Sequence, residues 1–184
     1  ATLAMNTPAS GFEGIDLGNA WRFDHVLELA EKLGIRLMPC IDSFNILRSK
    51  ERPHGNYEDA PYVRSRGGPL RKPLDYFTHP RSLRAYRNRL RYLVARYGYS
   101  TSIFAWELWN EVDIIDGYDS EVVARWHAEM ARYLRDLDPW HHMVTTSFAN
   151  PRGDKAVFSL PELGYFRFPD DHYPGSSLMP QKRN

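Results

Sequence analysis

Cysteine is almost absent from this chain: Cys40 stands alone. That excludes an internal disulfide framework and a multi-cysteine metal site. Its apolar neighbours Met38, Pro39 and Ile41 mark Cys40 as an inert, buried thiol. Long apolar runs are missing too. No window of about 18 uninterrupted apolar residues occurs, so no membrane span and no membrane partner is expected. Charge of one sign is not in excess, since 24 Lys and Arg against 23 Asp and Glu leave a formal +1. Such balance argues against a polyanion-binding surface, and so against nucleic acid. Internal repeats and low-complexity tracts are lacking as well. The sequence begins at Ala1 with no basic segment leading into an apolar one, so no targeting signal is visible.

What is present is enough for one substantial core: 184 residues, 42% hydrophobic and 14% aromatic. Three helices are predicted from apolar residues at helical spacing. The first spans 21–33, with Asn19 as its cap and Gly34 as its stop; the second spans 81–97 and ends at Gly98; the third spans 120–137 and is closed by Pro139. A short apolar run follows each, at 35–41, 103–109 and 143–148, while an earlier run lies at 2–6 and a weaker one at 165–168. Helices alternating with short buried strands indicate parallel βαβ units and an α/β fold in a single domain. The linkers from strand to helix are long, above all residues 42–79. Long loops at the C-terminal ends of strands are where α/β barrels carry their chemistry.

The stretch FAWELWNEVD, residues 104–113, is apolar yet holds Glu107 and ends on Asn110-Glu111. Strand alternation places Ile103, Ala105, Glu107, Trp109 and Glu111 on one face, toward a barrel interior, and Phe104, Trp106 and Leu108 on the other. Glu111 then falls at the mouth, a catalytic address. Glu107 is expected to be a buried charge paired with an arginine. Four residues along a strand are about 13 Å, too far for Glu107 to act with Glu111 in a retaining pair.

WELWNEVD resembles the fourth-strand signature of glycoside hydrolase clan A, the (β/α)8 retaining glycosidases that include the family five cellulases and mannanases. GIRLMPCIDSFN is similar to strand three, HHMVTTSFAN to strand five, and DDHYP to the end of strand six. The resemblance implies an incomplete (β/α)8 TIM barrel: residues 1–163 family-like, 164–184 an atypical tail, and strands two to six present. It implies Glu111 as general acid/base and Asn110 as the ligand of the sugar's 2-hydroxyl, acting on β-linked glucosides, mannans or oligosaccharides with no cofactor. It also implies a secreted or periplasmic setting. Flanking aromatics would desolvate Glu111 and raise its pKa toward working pH.

A complete barrel takes about 250 residues, and strand seven, which carries the family's nucleophile, has no counterpart here. An open half-barrel exposes apolar edges, so a homo-oligomer that completes or covers it is expected. The second carboxylate must then come from elsewhere. Asp42, at the end of strand three, leads over Asp113, Asp170 and Asp171; a partner subunit is a further source. A separation of about 6.5–9.5 Å would favour inversion. Trp109, His172, Tyr173 and Phe44 are candidate sugar contacts. Of the loop aromatics Phe44, Tyr57, Tyr62, Tyr76 and Phe77, some suit a stacking platform and more suit core cover. His141-His142 lacks acidic or Cys partners at ligand spacing, so no metal is expected. The basic run RSRGGPLRKP, 64–73, reads as a solvated loop. The functional alternatives are an exo-acting glycosidase that trims small substrates, an inactive half-barrel that binds carbohydrate, and a fragment of a longer glycosidase.

Overall fold

The computed structural model describes residues 3–150, 153–163 and 167–169, the last three as backbone. Helix α1 (Leu17–Leu33) starts four residues earlier than its periodicity predicts, because its cap is Asp16 rather than Asn19. The Asp16 carboxylate accepts the Asn19 N–H at 2.9 Å, satisfying one of the helix's orphan donors. Gly34 ends α1 at φ 67°, a left-handed conformation in which a residue without Cβ carries no steric cost. Strand β1 (Cys40–Ser43) follows. It starts later than the apolar run at 35–41 suggests. Only an isolated bridge, Leu37 to Ile103, precedes it, and Pro39 between them has no N–H for a ladder.

Helix α2 (Pro80–Tyr97) has Pro at its first position and buries Tyr86, Arg89, Leu90, Leu93, Val94 and Tyr97. Helix α3 (Ser120–Leu137) is capped by Asp119 and buries Val123, Trp126, His127, Met130, Ala131 and Leu134. Strands β2 (Ala105–Asn110) and β3 (Met143–Phe148) follow α2 and α3 respectively. A four-residue helix α4 (Lys155–Phe158) and a short strand β4 (Arg167–Pro169) come last. The described strands form one sheet in the order β1-β2-β3-β4 with every pairing parallel. The expected strand at 2–6 is not formed by its described residues. Ala4 takes φ 46°, which breaks an extended backbone, and Leu3 instead donates its N–H to the Cys40 carbonyl at 2.8 Å.

Helices and sheet meet in an aromatic core. Trp126 from α3 packs edge-on against Phe77 at 5.2 Å, Tyr86 at 4.7 Å and Trp109 at 6.0 Å. Buried rings of this size dominate core energetics, and truncating Trp126 to Ala would cost about 3–5 kcal/mol. Tyr62, Tyr76 and Phe77 are buried in this core and its flank, as core cover, while Phe44 and Tyr57 are half-buried. The consequence for function is positional. Every strand-to-helix loop leaves the C-terminal edge of one parallel sheet, so residues 43–79 and 110–119 share a face of the molecule.

Candidate active site at the C-terminal edge of the sheet

Parallel register brings the ends of three strands together. Ser43 lies opposite Asn110 in the β1–β2 pairing. The Asn110 amide Nδ2 donates to Ser43 Oγ at 3.3 Å, and Ser147 Oγ, from β3, is 3.5 Å from Asn110 Oδ1. Ser147 Oγ also accepts the Glu111 N–H at 3.3 Å. Asn110 is therefore oriented from both sides by hydroxyls on its two neighbouring strands. Neither serine is singled out by sequence reasoning. Their only signal is that each stands at or beside the last position of its strand.

Glu111 follows at once, with φ 52° and ψ 49°. A left-handed backbone at a non-glycine residue is uncommon and costs of order 1–3 kcal/mol; such strain concentrates at functional sites. It also ends the strand's alternation. Trp109 does not look into the barrel beside Glu111, as alternation predicts. Its side chain is fully buried, with ring contacts to Tyr76 at 5.0 Å, Phe77 at 5.3 Å and Trp126 at 6.0 Å. As a candidate sugar contact Trp109 is thus corrected to a packing residue beneath α2 and α3. Glu111 itself is only 7% exposed and Asn110 is half-buried. Thr146 braces this turn from below. Its Oγ1 donates to the Trp109 carbonyl at 3.0 Å and lies 3.0 Å from Nε2 of the buried His127.

The two leading candidates for a second carboxylate are otherwise engaged. Asp42 is buried and clasped by Arg89 of α2, Nη1 to Oδ1 at 2.9 Å and Nη2 to Oδ2 at 2.8 Å. Tyr76 Oη donates to Asp42 Oδ2 at 2.5 Å and accepts from Arg89 Nη2 at 2.7 Å. Burial pushes the Asp42 carboxyl above its ordinary value, against the pull of Arg89 and Tyr76. This corrects Asp42 from second catalytic carboxylate to one half of a structural ion pair. The charge that Arg89 neutralises is Asp42. Glu107 lies against the Cys40 thiol, whose pKa burial drives well above its usual value, with the Glu107 carboxylate adding to the rise. Cys40 is inert as expected.

Asp113 accepts the N–H groups of Ala149 at 2.8 Å and Asn150 at 2.9 Å. It clamps the segment after β3 rather than facing a substrate, a second correction of a proposed catalytic residue. Phe44 stays half-exposed beside Ser43, with the Arg48 guanidinium 5.5 Å from its ring. His172, Tyr173, Asp170 and Asp171 lie outside the described residues. The His141-His142 pair does have an acidic neighbour, contrary to the sequence reading: His142 Nδ1 sits 2.7 Å from Asp138 Oδ2. Among the described residues, no group of three or more His, Cys, Asp or Glu could hold a metal ion.

No protein-family model matches the chain. It is similar to mannan endo-1,4-β-mannosidase F of Aspergillus clavatus, 32% identical over 146 residues, covering 79% of this chain and 28% of that protein. It is also similar to the probable mannan endo-1,4-β-mannosidase A of Aspergillus clavatus, 31% identical over 174 residues, covering 95% of this chain and 41% of that one. The chain thus spans well under half the length of these curated relatives. Among solved structures, the endo-β-1,4-mannanase of Thermotoga petrophila superposes with a TM-score of 0.53 at 26% identity, over 68% of this chain and 26% of that chain. The endo-1,4-β-mannanase of Rhizomucor miehei gives 0.57 at 17% identity, over 82% of this chain and 47% of that one, a likeness of fold alone.

Proposed function

We propose that this chain is a partial (β/α)8 barrel of the clan A, family five mannanase-like glycoside hydrolase kind, and that it supplies the acid/base side of a site cleaving β-linked mannan or related β-glycans. The observation that carries the reading is the Asn110-Glu111 turn: a strained carboxylate at the C-terminal edge of the sheet, next to an amide aimed by Ser43 and Ser147. In this reading Glu111 protonates the departing glycosidic oxygen. Asn110, positioned by two hydroxyls, holds the sugar's 2-hydroxyl, where hydrogen bonds that strengthen in the transition state lower the barrier. Low exposure around Glu111 keeps water away from the proton being transferred.

A second carboxylate is required for either stereochemical course, as nucleophile in retention or as base in inversion. With Asp42 and Asp113 engaged, the group is sought elsewhere, in residues beyond these two or in a partner subunit. His172 and Tyr173 are proposed as sugar contacts, and Phe44 as an edge of the platform. The relatives' names favour cleavage within chains over trimming of ends, and the product pattern separates the two. The engagement of Asp42 and Asp113 favours one second reading, a site that holds β-glycan without cleaving it.

The test is hydrolysis of β-mannan and aryl β-mannosides by the native chain and by Glu111→Gln. A general acid is worth about 10²–10⁴ in rate, so the variant should lose at least that much while still binding oligosaccharide. Equal rates in both proteins would remove Glu111 from the mechanism. Binding without hydrolysis in either would establish the second reading.

A further inference from the structure

The basic run at 64–73 is not simply solvated. Together with the start of α2 it borders an open pocket of about 560 Å³ lined by Arg64, Gly68, Arg71, Asp75, His79 and Arg81. Neither Asn110 nor Glu111 lines it. The cavity belongs to the loop between β1 and α2, which leaves the C-terminal edge of the sheet. Asp75 lines it from the turn Pro73–Phe77, whose Tyr76 and Phe77 rings pack against Trp109.

Three exposed arginines line the pocket beside one carboxylate, Asp75. That carboxylate is spent on the loop itself, accepting the N–H groups of Arg71 at 3.0 Å and Lys72 at 3.2 Å. Arg66, in the same run, is neutralised by Asp59 at 2.8 Å. Arg64 and Arg71 have no ion-pair partner among the described residues, and Arg81 shares the exposed Glu13 at 3.3 Å. The start of α2 adds no free donor at its second residue, since His79 Nδ1 already accepts the Arg81 N–H at 3.2 Å. The ring proton then sits on Nε2.

The cavity wall is preorganised. Arg64 N–H donates to the Leu70 carbonyl, Leu70 N–H to Tyr62 and Gly68 N–H to Val63, each at 3.0 Å. A Cβ on Gly68 would lie 2.0 Å from the Tyr62 carbonyl oxygen, so only glycine closes this loop and sets Arg64 and Arg71 at its two ends. The backbone that carries them is fixed, and guanidinium forks match carboxylates in bidentate geometry. The volume falls in the range of small-molecule sites, about 300–1,000 Å³, and exceeds what a bare inorganic anion fills.

We propose that this cavity binds a carboxylate-bearing sugar of the glycan, so that the protein's substrate is an acidic, uronate-substituted β-glycan. The substrate class rests on the glycosidase reading; the site itself does not. The experiment is calorimetric titration of the 184-residue protein with a glucuronate-bearing mannooligosaccharide, its carboxyl-reduced counterpart, and inorganic phosphate. The acidic sugar should bind about tenfold or more tighter than the reduced one, as expected of charge-assisted hydrogen bonds. Arg64→Gln with Arg71→Gln should abolish that advantage without moving the unfolding midpoint, and Arg→Lys at both positions should abolish it in part. Equal binding of the two sugars overturns the site. So does an advantage that survives the double variant. Phosphate binding that the double variant removes, with no preference for the acidic sugar, overturns the sugar assignment. If the double variant does not fold, the native protein decides: the advantage must shrink as salt rises, and a salt-independent advantage refutes the proposal. Binding is read directly, so a failure to hydrolyse would sink the glycosidase reading, and the substrate class with it, and leave the carboxylate-sugar site standing.

Discussion

Asp42→Ala should be among the most damaging single changes in the molecule, and Arg89→Met should rescue it. The side chains of Arg89 and Asp42 are 3% and 5% exposed, so neither charge has water to fall back on. Asp42 accepts three hydrogen bonds, two from Arg89 and one from Tyr76. Removing it leaves the guanidinium with only the Tyr62 hydroxyl at 2.8 Å and the Tyr76 hydroxyl at 2.7 Å, neither able to neutralise it. Breaking a buried pair from one side costs about 3–5 kcal/mol. That is a large part of the 5–15 kcal/mol that holds a typical domain together. The intact pair is worth far less. Burial raises the Asp42 carboxyl even in the presence of Arg89, so much of the Coulombic gain is consumed by desolvation.

These two statements together make a sharp test. In urea unfolding, Asp42→Ala and Arg89→Met should each lose about 3–5 kcal/mol, whereas the double variant should recover most of it. The coupling energy should then exceed the 0.5–3 kcal/mol usual for contacting residues. Asp42→Asn, nearly isosteric, serves if Asp42→Ala does not fold. Additive losses, or single losses under about 1 kcal/mol, would show that the guanidinium reaches water or another anion, and the account of Asp42 given above would be wrong.

Further expectations follow from other buried groups. His127 is enclosed by α3 and β3, and burial lowers its pKa to about 4. The unfolded chain takes up a proton near pH 6.5 that the folded one refuses until about pH 4, so stability should fall by about 3 kcal/mol as pH drops through that window. His127→Gln should flatten this part of the pH–stability curve; an unchanged slope refutes the assignment. Asp113→Ala should cost about 1–3 kcal/mol by releasing the Ala149 and Asn150 N–H groups. Below its unfolding temperature it should keep hydrolytic activity within a few-fold, and a loss of 10² or more would return Asp113 to the chemistry. Leu17, Trp21, Leu29 and Leu33 leave an apolar stripe of α1 in solvent, so sedimentation equilibrium should report a homo-oligomer; a monomer at all concentrations refutes that expectation.

Much of this was legible where the controlling interactions are local. Helical spacing found the three long helices among the described residues, and the Met143–Phe148 run is strand β3 without adjustment. The strand ends depended on subtler signals: Pro39 delays β1, and Asp16, not Asn19, caps α1. Alternation failed at Trp109 because it assumes that every residue of the run is extended, and Glu111 is not. Arg89 left a trace that was readable in principle. It falls on the stripe formed by Tyr86, Leu90, Leu93 and Tyr97, and a cation on an apolar stripe implies a buried anion. Which anion could not be known, since Asp42 is 47 residues away.

That distance is what joins the fold to the site. Asn110 is held by Ser43 on one side and Ser147 on the other, and both contacts exist only in the observed registers of β1 and β3 against β2. Shifting β1 by one residue would set Asp42 or Phe44 opposite Asn110 and turn each side chain of the strand to the other face. Hydrophobic patterning guards this register weakly, because β1 is only four residues long and buried on both faces. The Arg89–Asp42 clasp guards it better. It fixes the residue next to Ser43 against α2, and a slipped strand would leave a guanidinium buried without its partner. Fixing register is the best-attested use of a buried polar pair, and it explains a pair that adds little net stability. The Asn110 amide is thus aimed by a salt bridge it never touches.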